Sequence, residues 1–269
     1  MPEGDTVWNT ARVLHRALAG AQLTGSDFRV PRLATTDLTG WTVRESASRG
    51  KHLLLRLAAL DGTHWTLHSH LRMDGAWRAY APGERWSGRP AHLIRVVLRS
   101  PGAVAVGYHL HDLALVPTAE EDELVGHLGP DLLGPDWDED EALRRLGADP
   151  DRPLVTALLD QRNLAGIGNM YAAELCFVSG VHPSTPVGAV GSLPRLVRRA
   201  RQMLDLNKER ATQSTTGRLA ERERMWVYRR DRSPCRRCGT PIRVAMTGPE
   251  GRERATYWCP HCQPEPELG

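Results

Sequence analysis

Gln161-Arg162-Asn163-Leu164-Ala165-Gly166-Ile167-Gly168-Asn169-Met170-Tyr171-Ala172-Ala173-Glu174-Leu175 places two glycines directly before a helix-forming run. A helix that starts behind glycines leaves its first N–H groups open to an anion. A phosphate can sit there, and Asn169 can donate to it. As a bare Gly-x-Gly the motif is generic, so its neighbours matter. Upstream, Pro153 suits a first helical turn, and Leu154, Val155, Leu158 and Leu159 give that helix an apolar face. Downstream, Cys176 reads as a small buried residue. Ser192 to Asn207 reads as a further helix bearing Arg195, Arg198, Arg199 and Arg201. Thr212 to Ala220 is polar, contains glycine and is expected to be a mobile loop. From Arg195 to Arg254 seventeen Lys/Arg stand against seven Asp/Glu. A helical region with that excess suits a polyanion such as nucleic acid.

Beyond the helices, Cys235-x-x-Cys238 and Cys259-x-x-Cys262 are separated by twenty residues. This is the spacing of a four-thiolate zinc site built from two turns joined by a hairpin. All four ligands are protein atoms, so the expected Zn2+ is structural and no catalytic metal is expected. Thr247-Gly248-Pro249-Glu250-Gly251 marks the hairpin turn, and Arg252 and Arg254 fall on the returning strand, where they can reach a backbone phosphate.

On the other side, Thr118 to Glu141 holds ten Asp/Glu and no Lys/Arg, with Gly129-Pro130 and Gly134-Pro135 as turn signals. Residues 118–137 are read as an acidic connection between a domain at 1–117 and a helical domain at 138–228, with the finger and tail at 229–269. A short helix is expected from Asp138 to Leu146. Before the connection the periodicity shortens. Trp41–Ala47, His52–Leu57, Thr63–Ser69, Ala76–Tyr80, His92–Arg99 and Val104–Leu110 read as strands punctuated by Gly40, Asp61-Gly62, Pro82-Gly83 and Pro101-Gly102. Short strands at this spacing suggest a β-sandwich. Arg49-Gly50-Lys51 is then a hairpin tip. The loop Ser69–Gly75 sets Met73 among polar residues, a composition seen where an apolar wedge enters a duplex; ordinary packing is the competing reading.

At the start, Asp5 to Ala19 reads as an amphipathic helix with Val7, Ala11, Leu14 and Leu18 on one face. It would hold Met1-Pro2-Glu3-Gly4-Asp5 in place. With Met1 removed the chain begins with a secondary amine, whose pKa near ~8 leaves much of it uncharged and nucleophilic at neutral pH. Such an amine attacks an aldehyde carbon to give an iminium, an electron sink for breaking neighbouring C–O bonds. Glu3 lies within reach as an acid or base. Lys51 and Lys208 are the only lysines among 35 Lys/Arg. At Lys51 a proton that can leave distinguishes lysine from arginine.

The chain has 269 residues, 41% hydrophobic content and a net charge of +3. No run of eighteen apolar residues and no charged-then-apolar leader occurs. A cytoplasmic protein without membrane contact, associated with the nucleoid through DNA, is the expectation.

Taken together, Met1-Pro2-Glu3-Gly4-Asp5, Ser48-Arg49-Gly50-Lys51, Gly129-Pro130-Asp131, Asp160-Gln161 with Leu164–Tyr171, and Arg254–Gln263 resemble the formamidopyrimidine-DNA glycosylase/endonuclease VIII family. The resemblance implies an α+β multidomain fold: an N-terminal β-sandwich with a leading helix, a helix–two-turn–helix domain and a zinc finger. It implies a monomer that binds damaged DNA and everts the lesion, because C1′ is shielded within the duplex. Pro2 would be the Schiff-base nucleophile and Glu3 the acid/base for sugar-ring opening. Lys51 would be a general acid in elimination and would contact phosphate. Asn169 and Arg254 would hold the flanking phosphates, with Arg254 assisting the second elimination. The wedge would fall to Arg72-Met73-Asp74, and His92 and His127 would lie where relatives touch DNA. Pro-Glu-Gly and Arg-Gly-Lys resemble the endonuclease VIII branch. The arginine and phenylalanine that the other branch inserts opposite the lesion are absent from Leu110–Val116. The expected activity is therefore a DNA glycosylase and abasic-site lyase acting on oxidised pyrimidines with β,δ-elimination. The alternatives are a non-catalytic damage-binding protein of the same fold, an 8-oxoguanine/formamidopyrimidine glycosylase, and a zinc-ribbon RNA-binding protein.

Overall fold

The computed structural model describes residues 2–248, 251 and 253–266. Met1, Arg252 and the Pro249-Glu250 pair of the hairpin turn lie outside the described residues. By its internal contacts the chain divides into two units, Met1–His127 and Leu128–Gly269.

The first unit opens with α1 (Gly4–Leu18), whose Val7, Ala11, Leu14 and Leu18 are buried. Their helical spacing makes one apolar stripe. Eight strands follow: β1 (Gly25–Phe28), β2 (Thr42–Arg49), β3 (His52–Ala58), β4 (His64–His70), β5 (Ala76–Tyr80), β6 (Ile94–Arg99), β7 (Val104–Tyr108) and β8 (Asp112–Pro117). They form two four-stranded antiparallel sheets, ordered β1-β6-β7-β5 and β2-β3-β4-β8. Alternate residues of the sheets, including Leu53, Leu55, Leu57, Trp77, Val96 and Leu98, share a core with the α1 stripe. The period of two in a strand brings these side chains to one face. Each buried leucine contributes about 2 kcal/mol, so the start of the chain is fastened through α1.

Six of the eight strands match the sequence expectation within two residues. The misses are edge strands. β1 is Gly-Ser-Asp-Phe, with only Phe28 to signal burial. β8 ends in Pro117, which an edge position tolerates. The acidic stretch after β8 does not run free. Thr118–Glu120 forms a 3-10 turn and α2 (Glu121–Val125) follows. Glu121 accepts from Arg56 Nε at 2.9 Å, Arg56 Nη2 at 2.5 Å and Thr66 Oγ1 at 2.9 Å, which docks the stretch onto β3 and β4.

The second unit contains α3 (Glu139–Gly147), α4 (Leu154–Leu159), α5 (Asn169–Ser179), α6 (Leu193–Asn207) and the hairpin β9 (Arg243–Thr247) and β10 (Arg254–Trp258). Caps set the helix starts: Asp138 accepts from the Glu141 N–H at 3.0 Å, and Ser192 from that of Arg195 at 3.4 Å. α5 is buried from Asn169 to Phe177 on all sides, as an axial helix must be. It packs on the base of the finger through Ala173, Phe177, Val227, Cys235, Ile242 and Cys259. No helix of the described residues is long and apolar enough to cross a membrane.

The Thr212–Ala220 segment, expected as a mobile loop, is anchored. The Ser214 N–H donates to Asn207 Oδ1 at 2.8 Å, Ser214 Oγ donates to the Arg218 carbonyl at 2.7 Å, and Thr216 Oγ1 to the Glu223 carbonyl at 2.7 Å. Its hydroxyls bond the segment's own backbone and that of the following turn, a use that composition alone does not reveal.

Candidate active site

Glu3 is the N-cap of α1 and is 1% exposed, and Pro2 before it is half-buried. The Glu3 carbonyl accepts from the Val7 N–H at 3.0 Å, the first bond of the helix. A carboxylate at that end is favoured by the helix dipole. The His15 ring lies at the Ser46 N–H, 3.3 Å from it, and ties α1 to β2.

Gly50 and Lys51 are the two turn residues between β2 and β3, since Arg49 pairs with His52 across the ladder and Gly50 takes φ 57°. A two-residue hairpin turn needs that left-handed conformation, which glycine supplies without strain. Next to the turn lies a group that the sequence reading did not assemble. His52 Nδ1 and His68 Nε2 are 2.8 Å apart, and the His52 ring stands edge-on to both His70 and His127. Burial, repulsion from the neighbouring histidines and only weak help from Asp112 push His52 down to about 3. Burial pushes His70 to about 4, with Asp112 opposing and Lys51 and Arg72 adding to the shift. Burial also lowers His68. These rings therefore stay neutral at physiological pH. His52 adjoining Lys51, and His68-x-His70 on one strand, were the available signal; the register that pairs His52 with His70 was not. His127 is exposed at the margin of this group and His92 is exposed in a 3-10 turn.

The expected wedge loop has a definite internal structure. Arg72 Nε and Nη2 donate to the two oxygens of Asp112 at 2.7 and 3.0 Å. Asp74 is 2.5 Å from His109 Nδ1. Met73 lies between these two tied residues and is 59% exposed. Met73 is thus the projecting tip, and the Arg72 guanidinium is engaged within the unit.

In the second unit, the segment from Asp160 to Gly168 is built around Gln161. Its Nε2 donates to the carbonyls of Leu159 and Ile167 at 3.0 and 2.8 Å, and its Oε1 accepts from the Gly166 N–H at 3.1 Å. Gly166 takes φ 109°. Gly129 packs beneath this segment, where a Cβ would stand 2.5 Å from the Arg162 carbonyl, so the glycine of the Gly129-Pro130-Asp131 run is a steric requirement. Asn169 heads α5. Its Nδ2 donates to the Ala255 carbonyl at 2.8 Å, while Oδ1 is buried without a hydrogen-bond partner. One N–H of the amide remains beyond the Ala255 bond. Asn169 is thereby locked to β10 at the residue after Arg254. Arg254 is exposed and lines a cleft of ≈ 570 Å³ with Arg152, Arg162, Asp160 and Gly248. The Arg162 and Arg152 guanidiniums hold the Asp160 carboxyl well below the usual range, and Arg254 makes no ion pair among the described residues. Three guanidiniums against one carboxylate leave the cleft positive.

Behind it, Glu174 of α5 is 0% exposed and receives the N–H groups of Trp226, Val227 and Tyr228, each at 2.8 Å, together with Thr215 Oγ1. Burial pushes its pKa up against these donors. No periodicity or motif marks this anchor, because a glutamate on a helix reads as solvent-facing. The four finger cysteines converge: Sγ distances are 3.9 Å for Cys235–Cys262, 3.5 Å for Cys238–Cys259 and 3.6 Å for Cys238–Cys262. A tetrahedral ion with thiolates at about 2.3 Å needs sulfurs about 3.8 Å apart, so the four residues fit a zinc ion. Cys176 is fully buried and burial pushes its thiol up to about 12, so it is inert.

Comparison with known proteins gives a coherent set of matches. Residues 1–109 match the formamidopyrimidine-DNA glycosylase N-terminal domain and residues 128–215 the formamidopyrimidine-DNA glycosylase H2TH domain. A probable endonuclease 8 2 of Streptomyces coelicolor is 57% identical over 273 residues, spanning 100% of this chain and 97% of that protein. The DNA-(apurinic or apyrimidinic site) lyase Nei2 of Mycolicibacterium smegmatis is 49% identical, spanning 98% of this chain and 99% of that protein. The fold matches that of Lactococcus lactis Fpg in a complex with DNA containing an abasic site, with a TM-score of 0.79 and 23% identity over 98% of this chain and 100% of that one.

Proposed function

The chain belongs to the formamidopyrimidine-DNA glycosylase/endonuclease VIII family, on its endonuclease VIII branch, and from that premise we propose that Pro2, freed of Met1, is the nucleophile with which it removes oxidised pyrimidines from DNA. Its activity is that of a DNA glycosylase and abasic-site lyase of base-excision repair. The observation that carries the finer reading is the seating of Pro2 and Glu3 at the start of a helix whose apolar face is buried in the sandwich core.

The amine attacks C1′ and the base departs with a proton. Glu3 delivers a proton to the ring oxygen as the sugar opens to the iminium. The iminium acidifies C2′–H; loss of that proton expels the 3′ phosphate, and a second elimination expels the 5′ phosphate. Lys51 supplies a proton along this course, and the neutral histidines beside it add no competing charge. Asn169 and Arg254 hold backbone phosphates, the first through its remaining N–H and the second from the positive cleft. Met73 is presented to fill the place of the everted nucleotide, in a monomer acting on damaged DNA at the nucleoid. The Leu110–Val116 region passes into edge strand β8 and carries no arginine or phenylalanine, which favours pyrimidine lesions over 8-oxoguanine. Cys235, Cys238, Cys259 and Cys262 would hold a zinc ion that would supply rigidity to the hairpin, and four thiolate ligands would leave no position for water.

The test is borohydride reduction on abasic-site DNA. Protein with a verified Pro2 terminus is expected to give a covalent adduct that mass spectrometry places on Pro2, and protein that retains Met1 none. An adduct of equal yield from both forms, or one mapped to Lys51, would remove Pro2 from the mechanism.

A further inference from the structure

Outside the cysteine cluster, Asp74, His109 and His111 bring three metal-ligating atoms within 4.8 Å of one another. Asp74 Oδ2 is 2.5 Å from His109 Nδ1 and Asp74 Oδ1 is 3.7 Å from His111 Nε2, and the two imidazole rings are 4.4 Å apart. Donors around a four-coordinate cation at about 2.1 Å stand about 3.4 Å from each other, so small side-chain rotations bring all three to one ion. Two imidazoles and one carboxylate suit a divalent first-row cation of borderline softness and do not suit calcium or magnesium.

The backbone that presents these donors is fixed from both sides. His109 takes φ 53° and Arg72 φ 49°, left-handed conformations that non-glycine residues hold only under constraint. The His109 N–H donates to the Leu93 carbonyl at 2.7 Å, and the Gly75 N–H closes the loop onto the Leu71 carbonyl at 2.7 Å. A Cβ on Gly75 would stand 2.5 Å from that carbonyl oxygen, so the turn that carries Asp74 closes this tightly only with glycine there. Arg89 takes the Asp74 carbonyl, leaving both carboxylate oxygens to the histidines. Arg72, the nearest cation in the loop, is neutralised by Asp112. The side chains of His111 and Asp74 are 50% and 48% exposed, so an ion can enter and keep water in its remaining positions.

We propose that Asp74, His109 and His111 form a second metal site, for a zinc-class divalent cation, that cross-links the Met73 loop to the turn before β8. Occupation replaces the direct Asp74–His109 contact with bonds to one cation, draws in His111, and tightens two segments that the Arg72–Asp112 pair already joins. Met73 then stands on a loop fixed at both shoulders. The binding claim is independent of the role given to Met73 on DNA.

The experiment uses the full-length protein with its cysteine site loaded with zinc and no DNA present. Cobalt(II) is titrated in and the visible spectrum read. One further equivalent is expected, with d–d absorption of an N/O environment, without the thiolate charge-transfer band, and displaced by zinc. D74N and H111A should each weaken binding about tenfold or more, whereas H64A, an exposed histidine at the far end of β4, should leave it unchanged. Thermal melts of the variants in chelator, matched to the parent protein, establish that the fold is intact; His111 is exposed enough to be replaced without a cavity. Absence of a second equivalent at millimolar cobalt overturns the proposal, as does binding that survives the D74N/H111A double variant or is lost in H64A.

Discussion

Replacing Glu174 by glutamine exchanges one heavy atom and is expected to destabilise the second unit by about 3 kcal/mol. The carboxylate accepts four hydrogen bonds, two on each oxygen: Trp226 N–H and Thr215 Oγ1 on one, Val227 and Tyr228 N–H on the other. In Glu174→Gln one oxygen becomes an NH2. Placed toward Thr215, it can donate to that hydroxyl, which must turn, but it faces the Trp226 N–H donor to donor. One buried N–H is then left unsatisfied, at a cost of about 1–3 kcal/mol, and the remaining bonds lose their charge assistance, each worth about 1 kcal/mol more than a neutral bond. Relief of carboxylate desolvation works the other way, since burial already pushes the Glu174 pKa up; it offsets part of the loss. At about 3 kcal/mol the melting temperature of this unit falls by roughly 6–12 °C. The 226–228 segment leads into the first cysteine pair, so the same variant should release zinc at a lower denaturant concentration. The assay is guanidinium unfolding followed in parallel with a zinc-sensitive dye. A Glu174→Gln protein within about 0.5 kcal/mol of the parent would refute the reasoning, because neutral glutamine would then satisfy the same donors as the carboxylate.

Three further outcomes are expected. Lys51→Arg keeps the charge and loses the transferable proton, so the elimination rate should drop by about 100-fold or more with KM within a few-fold; an unchanged rate would limit Lys51 to phosphate contact. For the histidines near Lys51, folded pKa values of about 3 for His52 and about 4 for His70 lie below the ordinary value of 6.5. The unfolded chain therefore binds more protons between those limits. Their contribution to stability is present above pH 6.5 and is lost as pH falls toward 4, by at most about 1.4 kcal/mol per pH unit for each ring. Urea melts from pH 8 to pH 5 should show this slope flattened in His52→Gln; an identical slope would contradict burial as the cause. Finally, Cys259→Ser should release zinc and weaken DNA binding at least about tenfold, or 1.4 kcal/mol, measured by fluorescence anisotropy; undiminished affinity in zinc-free protein would separate the finger from the grip.

What could be read in the sequence follows from which interactions are local. α1, the inner strands, α5 and the cysteine pairs declare themselves through periodicity and spacing, because Leu53, Leu55 and Leu57, or Val7 and Leu14, respond to burial on one face. The Gly50-Lys51 turn and the role of Gln161's neighbours were visible for the same reason. β1 and β8 were not, since edge strands need little apolar signal. The histidine group and the Arg72–Asp112 and Asp74–His109 pairs depend on register and on contacts across the chain, 16 residues apart for His52 and His68 and 40 for Arg72 and Asp112. Glu174 hid for a related reason: its partners are backbone N–H groups, which every residue has and no sequence distinguishes.

The Asn169–Ala255 bond sets how this molecule can tolerate insertion and deletion. β9 and β10 are in register from Arg254 opposite Thr247 to Trp258 opposite Arg243, with Thr247 and Thr256 hydroxyls 2.5 Å apart. Residues added or removed in pairs within the connecting turn leave Ala255 under the Asn169 amide and Arg254 at the cleft. A single-residue change that slips β10 reverses every side chain on the strand. The position facing the cleft would then pass to Glu253 or Ala255, exchanging a cation for an anion or for nothing. Length variation among descendants of this chain is therefore expected in even steps at the hairpin turn, and odd steps should survive only where a bulge absorbs them before Arg254.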